Sequence, residues 1–183
     1  MSELLHVAHE ADLPGLSALA ARTFPLACPP ELDREVIAAF VAENLSEEAF
    51  RRYLEVPDHE VLVAREGDGD GRDAGEPVGY VLLVAGTAMD PACEGQIVHR
   101  PTTGISKFYV HPGYHGVGIA ARMLDDVTRR SRRRGVRSLW LATNVANTRA
   151  RRFYVKHGFR ARGERTFDVG GVANADVVYE LTL

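Results

Sequence analysis

Several features that would announce a function class are scarce in this 183-residue sequence. Its two cysteines, Cys28 and Cys93, are too few and too far apart for a disulfide framework or a metal-ligand pattern. They read as small buried or loop thiols of a reducing compartment, and no metal is implied. No stretch of about 18 consecutive apolar residues occurs, which excludes a membrane-spanning helix. Met1 to Glu10 has neither the basic start nor the apolar run of a secretory signal, so a cytoplasmic protein is expected. Net charge is also small. With 22 Lys and Arg against 25 Asp and Glu it is −3, without the positive field that nucleic-acid binding uses.

What is present is enough for one core: 45% apolar residues, 8% of the chain aromatic, and a length that suits a single domain over residues 1–183. The small net charge hides a separation. Residues 1–100 carry 7 Lys and Arg against 19 Asp and Glu, whereas residues 122–165 carry 14 against 3. The split reads either as two solvated faces or as one half facing an anionic ligand and the other a cationic one.

Leu4 to Val7 reads as a strand, and Asp12 with Pro14 opens a helix through Leu16, Leu19 and Ala20 that ends near Arg22. Beyond Pro25, Pro29 and Pro30 a helical pattern runs from Glu31 to Glu43, and Ser46 starts a short helix carrying Phe50, Tyr53 and Leu54. Val61–Val63 and Val78–Val84 form a hairpin across Gly67 to Gly75. Asp68, Asp70 and Asp73 in that tip do not make a calcium loop, because its sixth position is Asp73 rather than glycine. Ala85 to Thr103 has no periodicity and reads as a long surface loop bordering a site. Then come a strand, Ile105–Val110, a helix, Gly116–Arg134, a strand, Val136–Leu141, a helix, Asn147–His157, and two closing strands, Phe159–Val169 and Asp176–Leu183. An α/β (α+β) fold with a single mixed sheet flanked by helices follows.

The most informative stretch is Phe108-Tyr109-Val110-His111-Pro112-Gly113-Tyr114-His115-Gly116-Val117-Gly118-Ile119-Ala120, a strand entering a helix through glycines. Glycine lets backbone approach a ligand closely, and the first helix amides lack internal partners at the positive end of the dipole. Such a turn either holds phosphate or is an ordinary tight connection. It is not a Walker loop, since no Gly-Lys-Ser/Thr follows, and the glycine spacing disfavours a dinucleotide fingerprint.

A second constellation follows the next strand: Asn147-x-x-Ala150-x-x-Phe153-Tyr154, then Gly158-Phe159. Together the two resemble the GNAT superfamily of acetyl-CoA-dependent N-acetyltransferases, whose phosphate motif Gln/Arg-x-x-Gly-x-Gly/Ala is matched by His115-x-x-Gly118-x-Ala120. Thr23-Phe24, Phe40 to Leu54 and the ending from Glu164 to Leu183 look like bacterial spermidine/spermine N-acetyltransferases. The resemblance implies a mostly antiparallel seven-stranded sheet and a pyrophosphate cradled by the amides of His115, Gly116, Val117, Gly118, Ile119 and Ala120. It also implies a pantetheine arm paired with the backbone of Phe108, Tyr109 and Val110, an Asn147 contact to that arm, and Tyr154 as general acid toward the departing thiolate. A phenol, with a pKa near 10, is protonated at neutral pH and can give that proton. His115 stands where the family has Gln or Arg, and an imidazole can still donate to phosphate. Arg122 and Arg149 are candidates for the 3'-phosphate.

An alkyl ammonium is neutral in only about one molecule in 2,500 at pH 7, a cost of about 4.6 kcal/mol that a base or a desolvating pocket must offset. The strand Gly104-Ile105-Ser106-Lys107 has no carboxylate where many family members carry one, so the base is either a water held by backbone groups or a residue from the acidic N-terminal half, and it is left unassigned with Glu94 and His111 as candidates. Arg129, Arg130, Arg132, Arg133, Arg134 and Arg137 read as a solvated helix face rather than a nucleic-acid patch. The expected reaction is transfer from acetyl-CoA to a small-molecule primary amine, a polyamine or another small cation, by direct attack in a ternary complex. A protein lysine or N-terminal acetyltransferase and a non-catalytic acyl-CoA sensor are the alternatives. No membrane or nucleic-acid partner is expected, and a homodimer stays open.

Overall fold

The computed structural model describes residues 4–66 and 75–183. The strands are β1 (Leu5–Val7), β2 (His59–Arg65), β3 (Pro77–Ala85), β4 (Thr102–Val110), β5 (Ser138–Asn144), β6 (Arg160–Val169) and β7 (Val172–Thr182). The helices are α1 (Leu13–Ala27), α2 (Arg34–Asn44), α3 (Glu47–Glu55), α4 (Ile119–Arg133) and α5 (Thr148–Lys156). All seven strands join one sheet in the order β1-β2-β3-β4-β5-β7-β6. Every neighbouring pair is antiparallel except β4 with β5. The mixed, mostly antiparallel sheet read from the sequence is the sheet observed. The hairpin tip with Asp68, Asp70 and Asp73 lies outside the described residues.

Period-2 alternation within the strands sends side chains to two cores. Met123, Leu124 and Val127 of α4 pack with Val81, Leu139 and Tyr154 on one side, and Leu13 and Leu16 of α1 pack with Phe50, Val63 and Tyr80 on the other. The single parallel contact is short. Thr102, Thr103 and Gly104 pair with Ser138, Leu139 and Trp140, and there the ladder between β4 and β5 ends. Gly104 is the last paired residue and has to be small: a Cβ there would lie 2.7 Å from the Met89 methyl and 3.1 Å from the Trp140 indole nitrogen.

On its other edge β4 stays paired with β3, but with a bulge. Leu82 faces Lys107 and Leu83 faces Ile105, leaving Ser106 as the extra residue. The bulge shifts the alternation, so that Ile105, Phe108 and Val110 pack with the α4 core while Tyr109 packs with the α1 core. Lys107, two residues before Tyr109, follows it and approaches Tyr53 of α3.

Two expectations need correction. Helix α1 runs to Ala27 rather than ending near Arg22, because Pro25 lies in its last turn and removes only one hydrogen bond there. The stretch before β4 is not simply a surface loop. Its 3-10 turn Pro91–Gln96 is capped by Asp90, whose side chain accepts from the Ala92 amide at 3.1 Å, and Cys93 and Ile97 are buried with Trp140 and Val178. Glu180 of β7 fixes it, accepting from the amides of His99 at 2.9 Å and Val98 at 3.2 Å and from Arg162 Nε at 2.8 Å.

Burial by itself would raise the Glu180 carboxyl, but the two amides and Arg162 outweigh it and hold the group below the ordinary glutamate value. A carboxyl depressed in the folded state lends stability above its unfolded value, near 4.3, and that stability is lost as pH falls through the folded value. Glu180→Gln is therefore expected to lower stability at pH 7 by about 2–4 kcal/mol, since two amides and a guanidinium lose a charged acceptor. Thermal melts of both proteins from pH 7 down to pH 3 should show the gap closing as the wild-type carboxyl protonates.

Candidate active site

Where β4 leaves β5, the backbone edge of Ile105–Val110 that faces β5 has no ladder partner among the described residues. A cavity of about 700 Å³ fills the divergence. At one end are the glycine turn and α5, and at the other a pocket roofed by α1 and α2.

The turn is built stepwise. His111 caps the 3-10 turn Pro112–Tyr114, its Nδ1 accepting from the Gly113 amide at 3.1 Å. The chain then reverses through Gly116 at φ +84° and Gly118 at φ +85°, a region an L side chain enters only with strain. These two reversals make α4 start at Ile119 rather than Gly116. Among the described residues the amides of Gly116, Val117, Gly118, Ile119 and Ala120 donate no hydrogen bond, and Gly116 to Gly118 are exposed. Such amides at a helix N-terminus form an anion site. The His115 amide is not one of them, since it donates to the Pro112 carbonyl at 3.1 Å.

The His115 ring is also engaged. Arg149 approaches its Nδ1 at 2.8 Å and Nε2 lies 3.0 Å from the Val110 carbonyl. A guanidinium only donates, so Nδ1 accepts and Nε2 carries the hydrogen given to Val110. The imidazole therefore has no free N–H for phosphate, which corrects the role expected of it. It holds the Arg149 guanidinium beside the free amides instead. Arg122, on the first turn of α4, is exposed and does not line the cavity.

Asn147 is the N-cap of α5. Its side-chain oxygen accepts from the Ala150 amide at 3.1 Å, so only its NH2 group is left to face the cavity it lines. Tyr154 lies two turns on, 7% exposed, with its ring 5.3 Å from both Phe153 and Phe159 and 6.3 Å from Phe108. Burial first, and the neighbouring Tyr109 phenol second, push its hydroxyl well above the usual value, so it keeps its proton. No partner occupies that hydroxyl among the described residues.

The far pocket was not legible in the sequence. Phe24 and Phe40 stack at 4.6 Å, and Phe167 meets Phe40 edge-on at 6.2 Å. Asp176 of β7 is the one carboxylate among the described residues that lines the cavity. Its Oδ2 accepts from Arg165 at 3.2 Å, while a second Arg165 nitrogen reaches Asp90 at 3.0 Å. Burial raises the Asp176 carboxyl despite Arg165. Lys107 lines the same pocket, and Cys28 does too, its thiol pushed up to about 11 by burial and so unreactive. The two base candidates named from the sequence are elsewhere. Glu94 is exposed beside Arg100, and His111 is occupied by Gly113 and by Arg22 at 3.3 Å.

Comparison with known proteins gives the same outline. Residues 19–159 match the model of the acetyltransferase (GNAT) family. Uncharacterized N-acetyltransferases of Mycobacterium tuberculosis and Mycobacterium bovis are 42% identical over 167 residues, covering 91% of this chain and 95% of theirs. The crystal structure of PaiA N-acetyltransferase from Thermoplasma acidophilum in complex with coenzyme A superposes with a TM-score of 0.73 at 19% identity, over 100% of both chains. A GNAT family acetyltransferase from Elizabethkingia anophelis with acetyl-CoA bound gives 0.53 at 19% identity, over 75% of this chain and 84% of that one. At these identities the structural likenesses establish the fold.

Gly118→Ala tests the turn directly. Open space surrounds the position, so the penalty comes from φ alone, about 1–2 kcal/mol. Relaxation of that strain would turn the amides away, and titration calorimetry with coenzyme A should show affinity weakened tenfold or more.

Proposed function

We propose, from the premise that the chain belongs to the acetyltransferase (GNAT) family and is an acetyl-CoA-dependent N-acetyltransferase, that it acetylates the primary amine of a small molecule by direct attack within a ternary complex. The chain acts as a single N-acetyltransferase domain. The observation that carries this reading is the cleft between β4 and β5, with free amides at one end, Tyr154 along it and an aromatic-walled pocket beyond.

The amides of Gly116 to Ala120, with Arg149 held by His115, suit the pyrophosphate. The unpaired edge of Phe108–Val110 suits the amide-bearing arm, and the Asn147 NH2 group adds a donor to it. The amine nitrogen attacks the thioester carbonyl carbon, the C–S bond breaks as the new C–N bond forms, and the thiolate takes the Tyr154 proton. No cysteine or serine is set up as a nucleophile, and Cys28 stays protonated, which favours direct attack over an acetyl-enzyme.

The ammonium must lose a proton before or during attack, and we assign its acceptor as Asp176. It is buried and lines the pocket, and burial raises its carboxyl toward the range useful for a base. The polyamine expectation rested on the acidic first hundred residues and on the resemblance to spermidine/spermine N-acetyltransferases. None of the described carboxylates of that stretch lines the cavity, so the charge split gives it no support.

Tyr154→Phe is expected to lower the maximal rate of thiol release by about 10²–10⁴-fold with the KM for acetyl-CoA little changed, and an unchanged maximal rate would remove Tyr154 from the mechanism. For Asp176 the pH profile is diagnostic. A base must be deprotonated, so the wild-type rate should fall as pH drops through a value above the ordinary aspartate range. Asp176→Asn should be slow and lack that limb.

A further inference from the structure

The bulge at Ser106 turns Lys107 out of the α4 core and into the pocket beyond the thioester end of the cleft, among Phe40, Leu45 and Met89. No carboxylate of the described residues lies within ion-pair distance of its ammonium; the group sits 4.9 Å from the centre of the Tyr53 ring. Its neighbour on β2 is His59, whose Nδ1 is buried without a partner and whose imidazole is held below its usual value by burial and then by the Lys107 charge. The pocket's one carboxylate, Asp176, is already bound by Arg165. A charge taken out of water without a counter-ion is costly, and burial alone brings the lysine down to about 8. It is still mainly protonated at pH 7. A half-buried cation that faces a cavity, with the Tyr53 ring beside it and no carboxylate within ion-pair distance among the described residues, is arranged for an anion supplied from outside.

We infer that Lys107 binds a carboxylate on the acceptor, so that the substrates of this acetyltransferase are amino acids in the broad sense: a primary amine and a carboxylate on a common, largely apolar body. The aromatic wall of Phe24, Phe40 and Phe167 takes the apolar part. The amine is left toward Asp176 and the cleft, and the carboxylate reaches Lys107. A polyamine has the wrong sign for this pocket, because it would set a second cation against Lys107 with no free carboxylate to compensate. This inference rests on the proposed function for the amine's fate but not for the anion site, and the two are separable by experiment.

The first measurement needs no turnover. Titration of the full chain with 3-phenylpropanoate and with 3-phenylpropanamide should show saturable binding of the carboxylate, at least tenfold tighter than the amide, and Lys107→Met should abolish the difference while Lys107→Arg restores part of it. Equal binding of the two probes, or a difference that survives Lys107→Met, overturns the anion site. The second uses thiol release from acetyl-CoA with paired acceptors, phenylalanine against phenylalaninamide and 3-amino-3-phenylpropanoate against its amide, with spermidine alongside. At least one carboxylate should exceed its amide tenfold or more in kcat/KM, chiefly through KM, and the ratio should collapse toward one in Lys107→Met. Spermidine or the amides as the best substrates would overturn the substrate class. Carboxylate binding without thiol release from any amine would instead count against the catalytic reading and leave the Lys107 site standing.

Discussion

The structure turns on a broken ladder. β4 and β5 lie side by side in one sheet yet share only three paired positions, after which the two strands go separate ways while each stays bonded to its other neighbour. Unpaired backbone inside a sheet is costly unless something else satisfies it. The divergence survives because β3 holds one strand, β7 holds the other, and Gly104 lets Met89 and Trp140 close in at the point of separation. One local constraint thus provides both the opening and a row of main-chain groups along its side. The glycine turn lies at the end of β4, and the first turns of α4 and α5 come to the same mouth.

Part of the charge separation along the chain is met inside the molecule. Arg130 donates to the Leu5 carbonyl at 2.8 Å, and Arg134 holds Glu60 with one contact at 2.8 Å. Arg129 pairs with Asp126, and Arg65 with Asp12. Asp126, buried on α4, also accepts from the amides of Leu4 and Leu5. Arg130 and Arg134 therefore tie the end of α4 to β1 and β2, with Glu60 of β2 as their acidic partner from the first half of the chain. Exposed pairs of this kind contribute little singly. At Glu60, opposite charges from the two halves meet each other.

How much was legible follows from range in the chain. Helices α3 and α5 were readable because the spacing of Phe50, Tyr53, Phe153 and Tyr154 and the caps Ser46 and Asn147 are local signals. The glycine turn was readable for the same reason, since the reversals at Gly116 and Gly118 need that residue type. The far pocket was hidden because it joins residues from α1, α2, β4, β6 and β7 whose relation exists only in the folded sheet. The bulge at Ser106 leaves no mark in the sequence, yet it decides that Lys107 faces the pocket. The segment before β4 was misread for the converse reason: its order comes from Glu180, about eighty residues away, and not from any period of its own.

The burial that positions Tyr154 also decides whether it can act. In water a phenol near 10 would give its proton uphill to a thiolate near 8.5, and burial raises Tyr154 further, which taken alone weakens it as an acid. The thiolate, however, would form in the same surroundings. Cys28 lines this cavity, and burial lifts its thiol to about 11, in the direction expected for a charge on sulfur placed along these walls. Desolvation thus raises donor and acceptor together, and the transfer to the departing sulfur stays uphill, as in water. It also keeps the phenol protonated at every pH at which the enzyme would work, so Tyr154 does not impose an alkaline limit of its own in the neutral range.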